Sequence, residues 1–256
     1  MSALLIVPPL PVAGIYADRG SGAENLLTND PREVWADIND PANHVAISVD
    51  LGLPRTIDTV FLGAVRPPVP AAQWFIDGAL SGGPSSVLKN WGPLRVPDVP
   101  GHQPALSCAL WHGEPATVQH LAIRVLQPAG DPLTIGRLII GKAFSPALGK
   151  EWGSGRRPID TGSATALSSG GFATVDGVRK RSAAWTFGDL SKAETDQLEM
   201  LALDHGETKP LLVVDDPTPS AGLWLRVLYG KFERWRAFER RNHVQTRWEL
   251  GFEEWR

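Results

Sequence analysis

The chain has 256 residues, 43% of them hydrophobic and 21% charged, which is enough apolar material to bury a core and too much for a disordered chain. A formal net charge of -3 argues against a protein whose affinity for nucleic acid or an anionic membrane rests on positive excess. The single cysteine, Cys108, excludes an internal disulfide, so the fold stands without covalent staples and suits a reducing cytoplasm.

In chain order, residues 3–7 are apolar but short, follow no basic region and stop at Pro8 and Pro9. They predict a short edge strand and neither a signal peptide nor a membrane span. Seventeen of the 22 prolines fall in residues 1–145, so that part is built of short segments between rigid loops. It carries nine Lys/Arg against twelve Asp/Glu, while the remainder carries sixteen of each. A domain boundary is expected between Gly141 and Trp152, where Ser145-Pro146 and Gly149 interrupt the pattern.

Val45, Ile47, Val49 and Leu51 alternate with Ala46, Ser48 and Asp50, and the run stops at Gly52-Leu53-Pro54. Residues 57–62 form a second apolar run, which predicts an antiparallel hairpin with a short loop. Leu121, Ile123 and Val125 alternate again, and residues 135–140 are nearly continuous in apolar character. Such runs fit a sandwich of two antiparallel sheets.

Asn25-Leu26-Leu27 with Asp30 and Trp35, Val49-Asp50-Leu51-Gly52, Ile57-Asp58-Thr59-Val60, Ile123-Arg124-Val125 and Ile135-Gly136-Arg137-Leu138 before Gly141 resemble, in order and spacing, the discoidin or galactose-binding family. The resemblance spans residues 14–142. It implies a jelly roll whose loops at one end hold a sugar or another surface ligand. Many members of that family join their ends by a disulfide, which this chain cannot do.

In the second part, residues 172–175 and 178–187 flank Asp176-Gly177, a strong hairpin signal because both turn positions need positive φ. Ser191 and Glu194 then form a capping-box pair ahead of Leu198, Leu201 and Ala202, predicting one helix over about 191–205 that Gly206 ends. Residues 211–214 read as a buried strand and Asp215 to Gly222 as a Pro-rich loop. Leu223, Leu225, Val227 and Tyr229 read as the next strand, with Gly230 at a bulge or bend. Val244, Thr246, Trp248, Leu250 and Phe252 alternate along a last strand with one buried face.

That order of hairpin, capped helix, strand closed by Asp216-Pro217, strand through Tyr229-Gly230-Lys231-Phe232 and terminal strand is similar to the tail-tube-like domain of long-tailed phages. Within that group it is most similar to distal tail and minor tail proteins of siphophages and gene transfer agents. The resemblance covers residues 143–256. It implies a structural protein of the virion tail tip, made in the bacterial host cytoplasm. Such a protein forms a ring with itself, often a hexamer, and joins the tail tube, the tape measure protein and the tip or hub proteins. The jelly roll would project outward, and the strand within residues 1–13 would return to the second domain. The fold class expected is therefore mainly β: a galactose-binding-like jelly roll plus a tail-tube-like sandwich with one helix.

Catalytic signatures are absent from the sequence: it has no Gly-rich loop ending in Lys-Ser/Thr, no His-Glu-x-x-His and no Gly-x-Ser-x-Gly. His102, Cys108 and His112 match no common zinc spacing and lack a fourth ligand, so no metal and no cofactor is expected. Adjacent carboxylates at Asp215 and Asp216 point to opposite sides of a strand and suit the turn at Pro217. Asn25 and Asp30 read as turn formers before Pro31 rather than as a cation site.

Ten tryptophans against two tyrosines is the unusual feature. Trp74, Trp91 and Trp111 lie in or near Gly/Pro-rich segments, where an exposed ring would stack on a sugar and a buried one would close the core. Trp185, Trp224, Trp235 and Trp248 read as core or subunit contacts. Residues 226–256 hold eight Lys/Arg and five Asp/Glu. Arg226, Arg234, Arg236, Arg247, Trp248 and Glu249 are candidates for a salt-bridged seam between ring neighbours, preferred over a nucleic-acid strip because acids are interleaved. The expectation is a non-enzymatic tail-tip protein. The alternative is a carbohydrate-binding module followed by a β-sandwich spacer, its ligand a surface glycan.

Overall fold

The computed structural model describes residues 4–38, 44–95, 106–220, 222–242 and 244–256. In chain order the elements are β1 (Leu4–Val7), β2 (Gly14–Ala17), a 3-10 turn (Ala23–Leu27), β3 (Trp35–Ile38), β4 (His44–Ala64), β5 (Gln73–Ala79), β6 (Ser86–Pro93), β7 (Ser107–Leu126) and β8 (Pro132–Gly141). There follow β9 (Gly155–Asp160), β10 (Ser163–Ala166), β11 (Phe172–Val175), β12 (Arg179–Leu190), α1 (Lys192–His205), β13 (Leu211–Asp215), α2 (Leu223–Arg226), β14 (Val227–Trp235), β15 (Glu239–Arg240) and β16 (Thr246–Glu254). The protein is mainly β, as its alternating sequence runs lead one to expect. It divides into two units, one of Ser2–Ser145 with Leu211–Leu228, the other of Pro146–Pro210 with Tyr229–Arg256. The break at Ser145 lies between Gly141 and Trp152. Leu211–Leu228, placed by sequence in the second domain, groups with the first unit.

In the first unit, β4 and β7 are long strands that pair twice, and this builds two layers from one ladder. The front layer runs β2-β4-β7-β5-β6, using the first half of β4 and the second half of β7. The back layer uses their other halves, with β8 on β4 and β3 on β8. The expected hairpin at Gly52-Leu53-Pro54 is therefore corrected: the chain bends there and does not reverse. Gly52 takes φ +74, the pairing with β7 shifts between Asp50 and Arg55, and Leu53 bulges out, 62% exposed. A positive-φ glycine at a bulge kinks a strand and lets it change layers. Between the layers, Trp35, Ile47, Val60, Trp74, Ile76, Ile123 and Ile135 belong to one buried core, each at 0–1% exposure. β1 pairs antiparallel with β13 inside the same unit.

Leu223 and Leu225 were expected in a strand; they lie in α2, a single turn after Gly222 at φ +81, and the strand begins only at Val227. The apolar alternation there was compatible with either state because the run is short.

In the second unit, β16 lies between β14 and β12, with β9 beyond β12 and β15 on the end of β16. Thr246, Trp248, Leu250, Phe252 and Glu254 are buried along β16, the period-two face read from sequence, whereas Val244 precedes the strand and is 57% exposed. Rings interlock on this sheet: Phe232 sits 4.1 Å from Trp235 and 5.5 Å from Phe252, and Trp185 sits 6.0 Å from Phe252. The helix α1 has the expected capping box, Ser191 accepting from the Glu194 amide while the Glu194 carboxylate accepts from the Ser191 amide at 2.8 Å. Leu198 and Leu201 are buried, and Gly206 caps the end.

The Asp176-Gly177 hairpin is also corrected. Neither residue has positive φ; β11 pairs with β10 through a turn at Gly170, φ +85, and β12 pairs with β9 and β16. Gly177 instead allows a close crossing, since a Cβ on it would stand 1.9 Å from the Gly162 nitrogen. The result is a long arm, β9-β10 running out and β11-β12 running back, its outer ladder exposed throughout.

Candidate functional site

Antiparallel pairing places alternate residues of the front layer on its outer face. Tyr16, Ser48, Ala122 and Asp77 come opposite one another on β2, β4, β7 and β5, and the next row holds Gly14, Asp50, His120 and Ala79. Because the middle of these rows is small, the face sinks into a basin of about 550 Å³ lined by Tyr16, Ser48, Asp50, Asp77, His120 and Arg124. Arg124 Nη2 donates to Asp77 Oδ2 at 3.0 Å, and His120 Nδ1 lies 3.5 Å from Asp50 Oδ1. Tyr16 stands at the β2 rim with 65% of its surface exposed. Beyond Arg124, Phe75 lies under the guanidinium at 5.5 Å and against Trp91 at 5.5 Å, and His44 meets Trp91 at 6.2 Å.

Of the three tryptophans proposed for ligand stacking, only Trp91 reaches this face, at 42% exposure. Trp74 is 1% exposed and belongs to the core, because position 74 on β5 points inward. Trp111 is half-buried and lines a different cleft with Trp74, Lys89 and Arg95. Sequence reasoning missed Tyr16, Asp77, His120 and Arg124. Their outward phase in each strand was readable, but their strand neighbours were not.

Most of the residues proposed for a ring seam have partners within the chain. Arg226 donates to the Thr218 carbonyl and to Ser220 Oγ, Arg236 pairs with Glu249 at 2.6 Å, and Arg247 lies near Glu151 and Glu239. Of the two readings given for Trp248, core or subunit contact, the core one fits: it is 4% exposed and its Nε1 donates to the Arg236 carbonyl. Arg234 is exposed on β14.

Among the described residues no group of three His, Cys, Asp or Glu is gathered as a metal site would need. His102 lies outside the described residues; Cys108 is buried, and His112 Nδ1 faces Thr59 Oγ1 at 3.0 Å. Asn25 Nδ2 donates to the Val34 carbonyl, and hydrogen bonds from the Arg32 side chain and then its amide hold the Asp30 carboxyl below its usual range. Asp216 takes φ 69 and accepts from the Thr218 amide, so it turns the chain before Pro219.

No protein-family model and no curated protein matches the sequence. Solved structures do. The chain is similar to the two CBM32 domains of Clostridium perfringens ZmpB in complex with GalNAc, at 14% identity and TM-score 0.42, over 54% of this chain and 35% of that one. It is similar to the Clostridium perfringens structure CpGH89CBM32-6 at 11% identity and TM-score 0.39, over 53% of this chain and 99% of that one. A Ruminococcus gnavus GH29 fucosidase in complex with fucose is matched at 14% identity and TM-score 0.40. The match spans 51% of this chain and a quarter, 25%, of the fucosidase. At these scores and identities the likeness assigns no residue and no ligand to this chain.

Proposed function

We propose that the protein is a carbohydrate-binding protein that holds a neutral oligosaccharide on the outer face of the β2-β4-β7-β5-β6 layer, acting by binding and without turnover. One observation carries the reading: the exposed ring of Tyr16 stands at the rim of a basin whose floor is small and which holds the Arg124–Asp77 pair, and the exposed ring of Trp91 lies on the same layer beyond Arg124, against Phe75. A sugar ring has an apolar C–H face that stacks on an aromatic side chain and a rim of hydroxyls that need several donors and acceptors. Tyr16 and Trp91 supply the rings, while Asp77 with Arg124 and Asp50 with His120 supply the hydrogen bonds. Pairing Arg124 with Asp77 leaves hydrogen-bonding capacity while balancing that cation's charge, which favours a neutral ligand. Tyr16 and Trp91 are on strands four spacings apart, about 19 Å at ~4.8 Å per strand, so the face suits a chain of sugars.

A glycan array followed by calorimetry tests this. Native protein should bind neutral oligosaccharides, and Trp91→Ala, Tyr16→Ala or Arg124→Met should each weaken binding by about tenfold, ~1.4 kcal/mol. A blank array, or binding untouched in all three variants, sinks the assignment.

A second reading, the ring-forming tail-tip protein, draws on the exposed arm of the second unit, which carries Leu167, Phe172, Val175 and Val178 at 48–70% exposure. Exposed apolar side chains on and beside a two-stranded ladder are a feature of contact surfaces. It predicts a solution mass above that of one chain, and no comparison with known proteins bears on it.

A further inference from the structure

The first unit has a second concavity at the open edge of its sandwich, between β6, the last strand of the front layer, and the first half of β7 in the back layer. The cleft holds about 750 Å³ and is lined by Trp74, Trp111, Lys89, Arg95, Pro217 and Leu223 among others. Lys89 pairs across from Ile76 of β5, so its side chain points inward from the edge strand. Its ammonium lies 5.2 Å above the Trp74 ring and donates to the Asn90 carbonyl at 2.9 Å. Among the described residues no carboxylate pairs with it, and burial pushes its pKa below the usual lysine value. Space for that head group is provided by Gly92, where a Cβ would come within 2.9 Å of Nζ.

Trp111 is set as a platform by a second glycine. A Cβ on Gly113 would stand 3.0 Å from three atoms of the indole, so the ring lies close along the backbone. Arg95 adds a second cation at the cleft, its Nη1 held by the Pro68 carbonyl at 2.8 Å. The combination is a partly desolvated cation without a counter-ion among the described residues, a fixed indole and apolar walls. A half-buried ammonium is costly unless an anion meets it, and the low local dielectric strengthens that pairing.

From this geometry we infer that the edge cleft is a separate binding site for a carboxylate carried on a six-membered ring, the carboxylate meeting Lys89 and one face of the ring lying on Trp111. Two sources share that chemistry, an acidic sugar and an aromatic acid. The front face differs in that Arg124 already meets Asp77, so that face suits a neutral ligand and the cleft an anionic one.

The test is calorimetry on the native protein with glucuronate and benzoate, each against its neutral counterpart, glucose and benzyl alcohol. The expected result is binding of at least one acid, at least tenfold tighter than its counterpart, and at least tenfold weaker in Lys89→Met, which keeps the aliphatic stem on Trp74. Which acid binds identifies the source. Equal binding of acid and neutral compound, no binding of either acid, or no loss in Lys89→Met overturns the site. Lys89 would then serve only as an inward charge that guards an edge strand. Comparison of acid with neutral compound needs no variant and stands even where Lys89→Met unfolds. Trp91→Ala should leave carboxylate binding intact and Lys89→Met should leave neutral-glycan binding intact, so each site fails independently.

Discussion

Single residues show how environment decides the role of a side chain type. Asp30 and Asp37 are seven positions apart and shift in opposite directions. Asp30 is held by Arg32, whereas Asp37 on β3 is 5% exposed and among the described residues its Oδ2 has no hydrogen-bond partner. Burial raises the Asp37 pKa above 3.8, Arg19 pulls it back and Asp18 adds to the rise. The folded state thus holds that proton more tightly than the unfolded chain. Its contribution is fully present below the unfolded value and lost as pH rises through the raised folded one. Near neutrality the charged form is a cost. Asp37→Asn should therefore stabilise the protein at pH 7 by about 1 kcal/mol, roughly 2–4 °C in Tm, with the gain vanishing in acid. Thermal unfolding of both proteins at the two pH values decides it, and an equal or lower Tm at pH 7 refutes it. The tryptophans teach the same lesson. Trp74 and Trp91 both lie near Gly/Pro-rich segments, yet one is core and the other is 42% exposed, because Trp74 pairs with Gly92 on the inward side and Trp91, one residue before Gly92 on β6, alternates outward.

At the scale of elements, what was local was legible. The α1 start needs only Ser191 and Glu194 three residues apart, and both hydrogen bonds form as read. Burial pushes Glu194 up, but bonds from the Ala147 amide and from Ser191 outweigh it and hold the carboxyl below its usual range. The stability this brings is present above the unfolded pKa and lost as pH falls through the folded one. Ser191→Ala should cost about 1 kcal/mol, measured by urea unfolding, while Ser191→Asp should retain most of it. Equal midpoints for native protein and Ser191→Ala would refute the cap's contribution. The two hairpins read from turn residues failed for a common reason. Gly52-Leu53-Pro54 and Asp176-Gly177 are compatible with reversal, but the flanking runs had better partners far along the chain: both halves of β4 pair with β7, and β12 pairs with β16. A turn signal states what the backbone can do, and long-range pairing selects what it does.

For the whole molecule, the open question is what the exposed arm of the second unit meets. If the arm is an assembly contact, light scattering should give a mass above 27.7 kDa that rises with concentration, and Phe172→Ser should return it to that of one chain. A single-chain mass at all concentrations removes the second reading and leaves the carbohydrate-binding proposal untouched, since the front face lies wholly in the first unit. By itself the sequence determined the mainly β class, the inward phase of the strands, the capped helix and a break near residue 145, because each depends on spacing over a few residues. Tertiary structure alone decided that β4 changes layers, that residues 211–228 join the first unit, and which outward residues become neighbours. A strand's own residues set which side is apolar, but the side chains that share a basin come from strands tens of residues apart. Only the register between those strands, fixed by packing of the whole core, puts Tyr16, Ser48, Ala122 and Asp77 in one row.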